Sequence, residues 1–159
     1  ALTGHLVLST LHTVNAASAP LRLMDMGIAP YLLADSLSLI ISQRIPGRLC
    51  PHCKRKVTLT EEKFADLSLP QEFLGETVMD AEGCEECHGS GIAGRIGAFE
   101  MIEIGREERQ IIRGGFSADK LQERMRAQGQ PDMGAAALRE LRKGWISARS
   151  ASQVIAGED

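Results

Sequence analysis

The sequence predicts an α/β fold with a metal-binding insertion and a helical C-terminal region. Three observations carry this expectation. Short apolar runs of strand type stand at His5 to Thr10 (HLVLST) and Ile96 to Ile104 (IGAFEMIEI). Helix-patterned segments follow each of them. Between them lies a Gly- and Pro-rich stretch bearing two C-x-x-C pairs, Cys50/Cys53 and Cys84/Cys87. A chain of 159 residues suffices for one compact domain or two small lobes. Hydrophobic residues make up 43% but aromatics only 4%, so Leu, Ile, Met and Ala must build the core.

In chain order, His5 to Thr10 reads as a buried strand. Asn15 is placed to cap a helix carrying Leu21, Leu23, Met24 and Met26, with Pro20 delaying its start and Gly27 ending it. Pro30 opens a second helix. Leu33, Leu37, Ile40 and Ile41 recur at helical spacing, so this helix is expected to include them and bury one face. From Arg44 to Gly97 the chain is loop-rich and too poor in core residues to fold alone, with one short helix at Glu61 to Leu67 behind a Thr60 cap. After the strand at Ile96 to Ile104, helices are predicted at Glu107 to Arg113, Ser117 to Gln128, Gly134 to Lys143 and Ala151 to Ala156. Leu121 with Met125, and Leu138 with Leu141, supply their apolar pairs. The whole divides into residues 1–45 (strand and helices of an α/β core), 46–94 (tetracysteine segment) and 95–159 (strand plus helices).

A net charge of −3 argues against a dedicated nucleic-acid binder, although Arg44 to Lys56 is locally basic. No apolar run approaches the roughly 20 residues that cross a bilayer, and no basic-then-apolar leader opens the chain. The start at Ala1 rather than Met reads as the start of a piece of a longer protein.

Four cysteines in two pairs, without an export signal, point to a metal rather than to disulfides. Each C-x-x-C sets two thiolates on one tight turn at the spacing a tetrahedral ion needs. Cys50, Cys53, Cys84 and Cys87 together complete a structural zinc site with no position left for water. The competing reading is buried or redox-active cysteines, which would need a thioredoxin-like setting not found around either pair. Arg48, Lys54, Arg55 and Lys56 stand near the first pair and would help offset four negative charges. His52 and His88 are read as spectators.

The glycines after the second pair imitate other sites. Gly89, Gly91 and Gly94 spell G-x-G-x-x-G, but they follow a metal turn and lead into a strand rather than a helix, which rules out a dinucleotide fingerprint. Gly89 to Ile96 falls short of a phosphate-binding loop, because Arg95 and Ile96 stand where Lys and Ser/Thr are required. Cys84 to Gly91 matches the C-x-x-C-x-G-x-G unit of DnaJ-type chaperones. The Cys50 pair lacks those glycines.

The segment T-G-H-L-V-L-S-T-L-H-T (Thr3 to Thr13) ends in hydroxyls and a histidine, as the ligand-binding edge of an α/β sheet does. By itself a lone histidine there is a core residue with satisfied hydrogen bonds. The wording, however, resembles the histidine box of the type II secretion and type IV pilus assembly ATPase family. Agreement continues through Arg22 to Leu33 (RLMDMGIAPYLL), Ser42 to Ile45 (SQRI), Leu49 to Cys53 (LCPHC), Gly83 to Cys87 and Gly94 to Met101 (G-R-x-G-x-x-E-M). It spans about the whole chain and weakens after Glu103.

The resemblance implies the C-terminal portion of a RecA-like P-loop ATPase domain with a tetracysteine zinc subdomain and a C-terminal helical bundle. It implies a cytoplasmic hexamer, peripheral to the inner membrane through platform proteins, that powers secretion or pilus assembly with ATP and Mg²⁺. His5 and His12 would then lie near the nucleotide phosphates, with Thr10 and Thr13 adding hydroxyl contacts. Arg44 and Arg95 fall in matching motifs as nucleotide contacts, with end-of-element salt bridging the equal alternative. The family has Asn directly after the His-Thr pair, where this chain has Val14 and then Asn15. The acidic pair expected near the last helix is replaced by Arg149, Ser150 and Ser152. The sequence contains no G-x-x-x-x-G-K-[ST], and no acidic Walker B strand precedes Thr3. The partner implied is therefore an upstream half of the same ATPase, and this chain alone is expected not to hydrolyse ATP. The competing reading is a free-standing tetracysteine zinc module for nucleic acid or an unfolded client. It leaves the histidine box unexplained.

Overall fold

A computed structural model describes residues 3–157; the outermost residues of the division above, 1–2 and 158–159, lie outside them. The helices before the cysteine segment are α1 (Ala19–Asp25) and α2 (Pro30–Ser36), and the strands β1 (Leu39–Arg44) and β2 (Gly47–Leu49) follow. The cysteine segment holds β3 (Lys54–Thr58), α3 (Glu61–Phe64), β4 (Thr77–Ala81) and β5 (Ile92–Arg95). Then come β6 (Ala98–Glu103), α4 (Arg106–Arg113), α5 (Ala118–Ala127), α6 (Met133–Arg142) and α7 (Ala148–Ala156). The strands pair as three two-stranded ladders, β1 with β6, β2 with β5 and β3 with β4. The chain forms two compact units, Ala1–Ser42 with Glu100–Asp132, and Gln43–Phe99 with Met133–Asp159.

In the first unit, Asn15 caps the chain as expected, though over a 3₁₀ turn (Ala16–Ser18) that runs into α1. Its Oδ1 accepts from the Ser18 N–H at 2.9 Å and from Ser18 Oγ at 2.7 Å. Pro20 sits in the first turn of α1, where its missing N–H costs nothing. Gly27, at φ +90°, ends the helix by bonding back to Met24 while Ile28 reaches Leu23. Ala16, Ala17, Leu33, Ala34, Ile102, Ile104, Ile112, Leu121 and Met125 form the core of this unit. Arg113 of α4 pairs with Asp35 of α2 on its surface.

Two sequence expectations fail here. The helix opened by Pro30 stops at Ser36, and Ile40 and Ile41 belong to strand β1. An apolar run of Leu and Ile fits both periods, and here pairing with β6 decides it. The run from His5 to Thr10 is not a buried strand. It has no regular structure and every residue is exposed, Leu6 and Leu8 by 88% and Val7 by 61%. A strand needs a neighbour to take its N–H and C=O groups, and no described strand pairs with this run.

The second unit shows how the loop-rich segment folds. The β3–β4 hairpin is antiparallel in unbroken register from Lys54↔Ala81 to Thr58↔Thr77. β2 and β5 pair as Gly47↔Arg95 and Leu49↔Ile92, with an irregularity between. The segment alone contributes Leu59, Leu69, Phe73 and Val78 to the core, and α6 and α7 complete it with Met133, Ala136, Ala137, Leu141, Ala148, Ala151 and Val154. Buried Ser152 on α7 accepts the Ser68 N–H at 2.8 Å, which fixes the chain after α3 to the helix. Arg142 of α6 meets Glu72 at 2.7 Å and lies over the Phe73 ring at 4.9 Å. Burying one face of each of two helices is what a short, glycine-rich hairpin segment cannot provide for itself.

Candidate functional site

The first cysteine turn follows β2. The Cys50 carbonyl accepts the Lys54 N–H at 3.1 Å, closing the turn that carries Cys53, and β3 begins at once. The second turn is a 3₁₀ turn over Glu85–Cys87, ended by His88 at φ +51°. Gly83 enters it at φ +95°, and a Cβ there would stand 2.3 Å from the Gly89 carbonyl oxygen. The Cys50 N–H donates to the Gly91 carbonyl at 2.8 Å, so backbone joins the two turns.

The four Sγ atoms lie within 4.8 Å of one another. Cys84–Cys87 are 3.7 Å apart, Cys53–Cys87 3.8 Å and Cys50–Cys84 4.0 Å. A tetrahedron with Zn–S bonds of about 2.3 Å has edges of about 3.8 Å, so the donors fit one zinc ion. All four cysteines would hold it, and the ion would brace the two turns with no open position for substrate. The clustered donors are the four cysteines, without His52 or His88.

Backbone amides set the thiol chemistry. The N–H groups of Cys84 and Gly91 each donate to Cys87 Sγ at 3.2 Å. The Cys84 bond is the chief cause pulling the Cys87 thiol down from 9.0 to about 6. Burial pushes Cys53 up to about 12, against a backbone hydrogen bond from Gly83, and the neighbouring thiols add to the rise. The basic residues are partly committed elsewhere. Arg55 pairs with Glu82 at 2.6 Å, and Arg48 stacks over Trp145 at 4.0 Å. Gly89, Gly91 and Gly94 all have positive φ and serve the cysteine turn and the entry to β5, in keeping with the rejection of a dinucleotide motif.

The remaining candidates divide between the units. His5, Thr10, His12 and Thr13 belong to the first. His5, Thr10 and His12 are exposed, and His5 Nδ1 meets Thr3 Oγ1 at 3.2 Å. Thr13 Oγ1 donates to the Asn15 carbonyl at 3.1 Å. Arg44 and Arg95 belong to the second unit, at the ends of β1 and β5. Arg95 donates to the Ile45 carbonyl at 3.0 Å, and Arg44 to the Gln43 carbonyl at 3.3 Å.

Two residues escaped the sequence reading. Trp145 accepts the Leu49 N–H on its carbonyl at 2.8 Å and takes Arg48 on its ring, so the loop between α6 and α7 holds the chain beside Cys50. Nothing in the pattern around this single tryptophan announces that contact. Glu100 is 1% exposed, and its Oε1 accepts the Ala16 N–H at 3.0 Å. Its signal was present, because alternation in Ala-Phe-Glu-Met-Ile-Glu puts Glu100 on the inner face with Ala98 and Ile102.

Comparison with known proteins gives the same family throughout. The profile described as "Type II/IV secretion system protein" matches residues 1–153. The type IV pilus assembly ATPase PilB of Myxococcus xanthus is 36% identical over 146 residues, 91% of this chain and 26% of that protein. The type IV pilus assembly ATPase TfpB of Acinetobacter baylyi is 33% identical over 156 residues, covering 98% and 27%. The type II secretion system protein E of Klebsiella pneumoniae is 44% identical over 115 residues, covering 72% and 22%. The chain thus spans about a quarter of the length of these relatives. With a family profile covering nearly every residue, the chain belongs to the type II/IV secretion system protein family.

Proposed function

We propose that this chain is the zinc-bearing C-terminal portion of a RecA-like ATPase that powers type II protein secretion or type IV pilus assembly. The observation that supports it best is the family match over residues 1–153 in a chain whose four cysteines converge to zinc spacing. Residues 1–45 would contribute to the ATPase core, 46–94 form the zinc subdomain, and 95–159 complete it with a strand and helices. The rest of the protein would supply the phosphate-binding loop and the Mg²⁺ carboxylate. The exposed Leu6, Val7 and Leu8 fit a strand that pairs with that part of the sheet. The intact protein would act as a cytoplasmic hexamer docked on inner-membrane platform proteins.

In this reading His12 donates a hydrogen bond to a phosphate oxygen or orients the attacking water. His5 and Thr10 line the same edge. Thr13 would add a hydroxyl contact, and its bond to the Asn15 carbonyl and that of Asn15 to Ser18 shape the chain that follows His12. Arg44 and Arg95, in the second unit, stand in matching motifs as nucleotide contacts, with end-of-element salt bridging the equal alternative. ATP and Mg²⁺ supply the phosphoryl chemistry when bound, and the zinc would brace the insertion away from it.

The test compares ATP hydrolysis by the intact protein, its His12→Ala variant and the 159-residue chain. Turnover in the intact protein, a loss of about a hundredfold in the variant and none in the short chain are expected. Hydrolysis by the short chain, or a fully active His12→Ala, overturns the reading.

A further inference from the structure

We propose that Glu100 is a positioning residue that anchors the histidine segment to strand β6, and so sets the geometry of His12. The proposal rests on the functional reading above. Glu100 is the acidic residue of the G-R-x-G-x-x-E-M run. It lies 84 residues from Ala16 in sequence, yet its Oε1 accepts the Ala16 N–H at 3.0 Å in a fully buried setting.

Hydrogen bonds hold the chain from Thr13 onward. Thr13 Oγ1 donates to the Asn15 carbonyl, Asn15 Oδ1 takes Ser18, and Glu100 takes Ala16. The first two are local and bend the segment on itself. The third ties it to strand β6. The N–H groups of a first helical turn have no partner within the helix, and those left buried are costly. Asn15 answers for Ser18, and Glu100 answers for Ala16. Upstream of Thr13, residues 3–12 are exposed and irregular, so the direction in which His12 leaves is fixed from its C-terminal side.

A carboxylate is the suitable anchor here. A buried hydrogen bond is electrostatically stronger than an exposed one, and losing this acceptor leaves the Ala16 N–H unsatisfied. β6 offers a rigid base, since Ile102 and Ile104 on either side of its end lie in the core with Ala16 and Ala17. A water molecule or phosphate contact misplaced by about 1 Å costs on the order of a hundredfold in rate, which is the leverage an anchor one residue-turn from His12 would exert.

The experiment uses the intact ATPase and reads two quantities, amide hydrogen exchange at Ala16 and steady-state ATP hydrolysis. Glu100→Ala is expected to speed Ala16 exchange and lower kcat, each by at least about tenfold, with KM for ATP little changed. Glu100→Gln keeps an oxygen acceptor and should recover most of both. Ala16→Pro removes the donor while leaving Glu100 in place; Asn15, at φ −146° and ψ 173°, already has the extended conformation a following proline requires. It should repeat the kcat loss, and it keeps the test alive if Glu100→Ala fails to fold. Unchanged Ala16 exchange in Glu100→Ala overturns the anchor. Faster exchange with unchanged kcat overturns its role in the reaction. Failure of the underlying reading shows separately, as wild-type turnover by His12→Ala.

Discussion

Gly83 and Gly89 meet backbone to backbone at the second cysteine turn, so closely that a Cβ on Gly83 would stand 2.3 Å from the Gly89 carbonyl oxygen. That oxygen belongs to fixed main chain and cannot rotate aside. Gly83 also holds φ +95°, which a side chain disfavours. Gly83→Ala should therefore open the Cys84–Cys87 turn and weaken zinc binding by at least about a hundredfold. Competition with a chromophoric chelator measures this. Gly75 serves as the control, since its φ is also positive but a Cβ there meets nothing within 4 Å. Gly75→Ala should bind zinc normally.

Removing the metal should loosen the second unit before the first. Cys50 and Cys87 are buried beside chain that α6 and α7 hold in the core, so losing the brace exposes the β2–β5 ladder first. Cys84→Ser, or chelation of the wild type, should lower Tm by at least about 5 °C and raise amide exchange in Gly47–Arg95. Exchange in α4 and α5 should change little. In the intact ATPase, nucleotide binding by Cys84→Ser should survive better than secretion or pilus assembly. Loss of ATP binding first would mean that the cysteine site is no remote brace.

Zinc affinity should depend on pH with a definite sign. The ion binds thiolates, and Cys53, at about 12, must release its proton to join. Cys87, at about 6, is already ionised at pH 7. Affinity should thus rise with pH, by about tenfold per unit for each proton released. Below about pH 6 the slope should steepen, because Cys87 then also begins to hold its proton. Chelator competition at pH 5.5, 7 and 8.5 reads the slope (values chosen to bracket roughly neutral pH). A flat profile would contradict a four-thiolate site.

The cysteine cluster was legible because its geometry is local: two C-x-x-C pairs dictate two turns, and the two turns bring four sulfurs to a spacing that fits a tetrahedral ion. Caps and stops were legible for the same reason, as with Asn15, Pro30 and Gly27. What failed depended on partners distant in sequence. Ile40 and Ile41 satisfy a helical period, and only their pairing with β6 makes them strand. His5 to Thr10 has strand composition, but composition does not supply the neighbour a strand requires. That α6 and α7 complete the core around Leu59, Phe73 and Val78 could not be read from any window of the chain.

Glu108 gives the last prediction. It lies buried on α4 and serves three donors: the Gly105 N–H at 3.0 Å, Arg124 Nε at 3.2 Å and Gln128 Nε2 at 3.1 Å. The first caps its own helix, and the other two join α4 to α5. Truncation to Ala would free the cap and remove both ties to α5, while Arg124 keeps Glu107 and Gln128 is open to solvent. Glu108→Ala should cost about 1–3 kcal/mol in urea unfolding of the chain. Glu108→Gln keeps one acceptor oxygen, enough for the Gly105 cap or for the α5 donors but not for both, and should cost about 1 kcal/mol. Glu107 also meets Arg124, at 2.9 Å, but is exposed, so Glu107→Ala should cost less than about 0.5 kcal/mol. The contrast tests whether burial, rather than the count of ion pairs, gives the α4–α5 contact its strength.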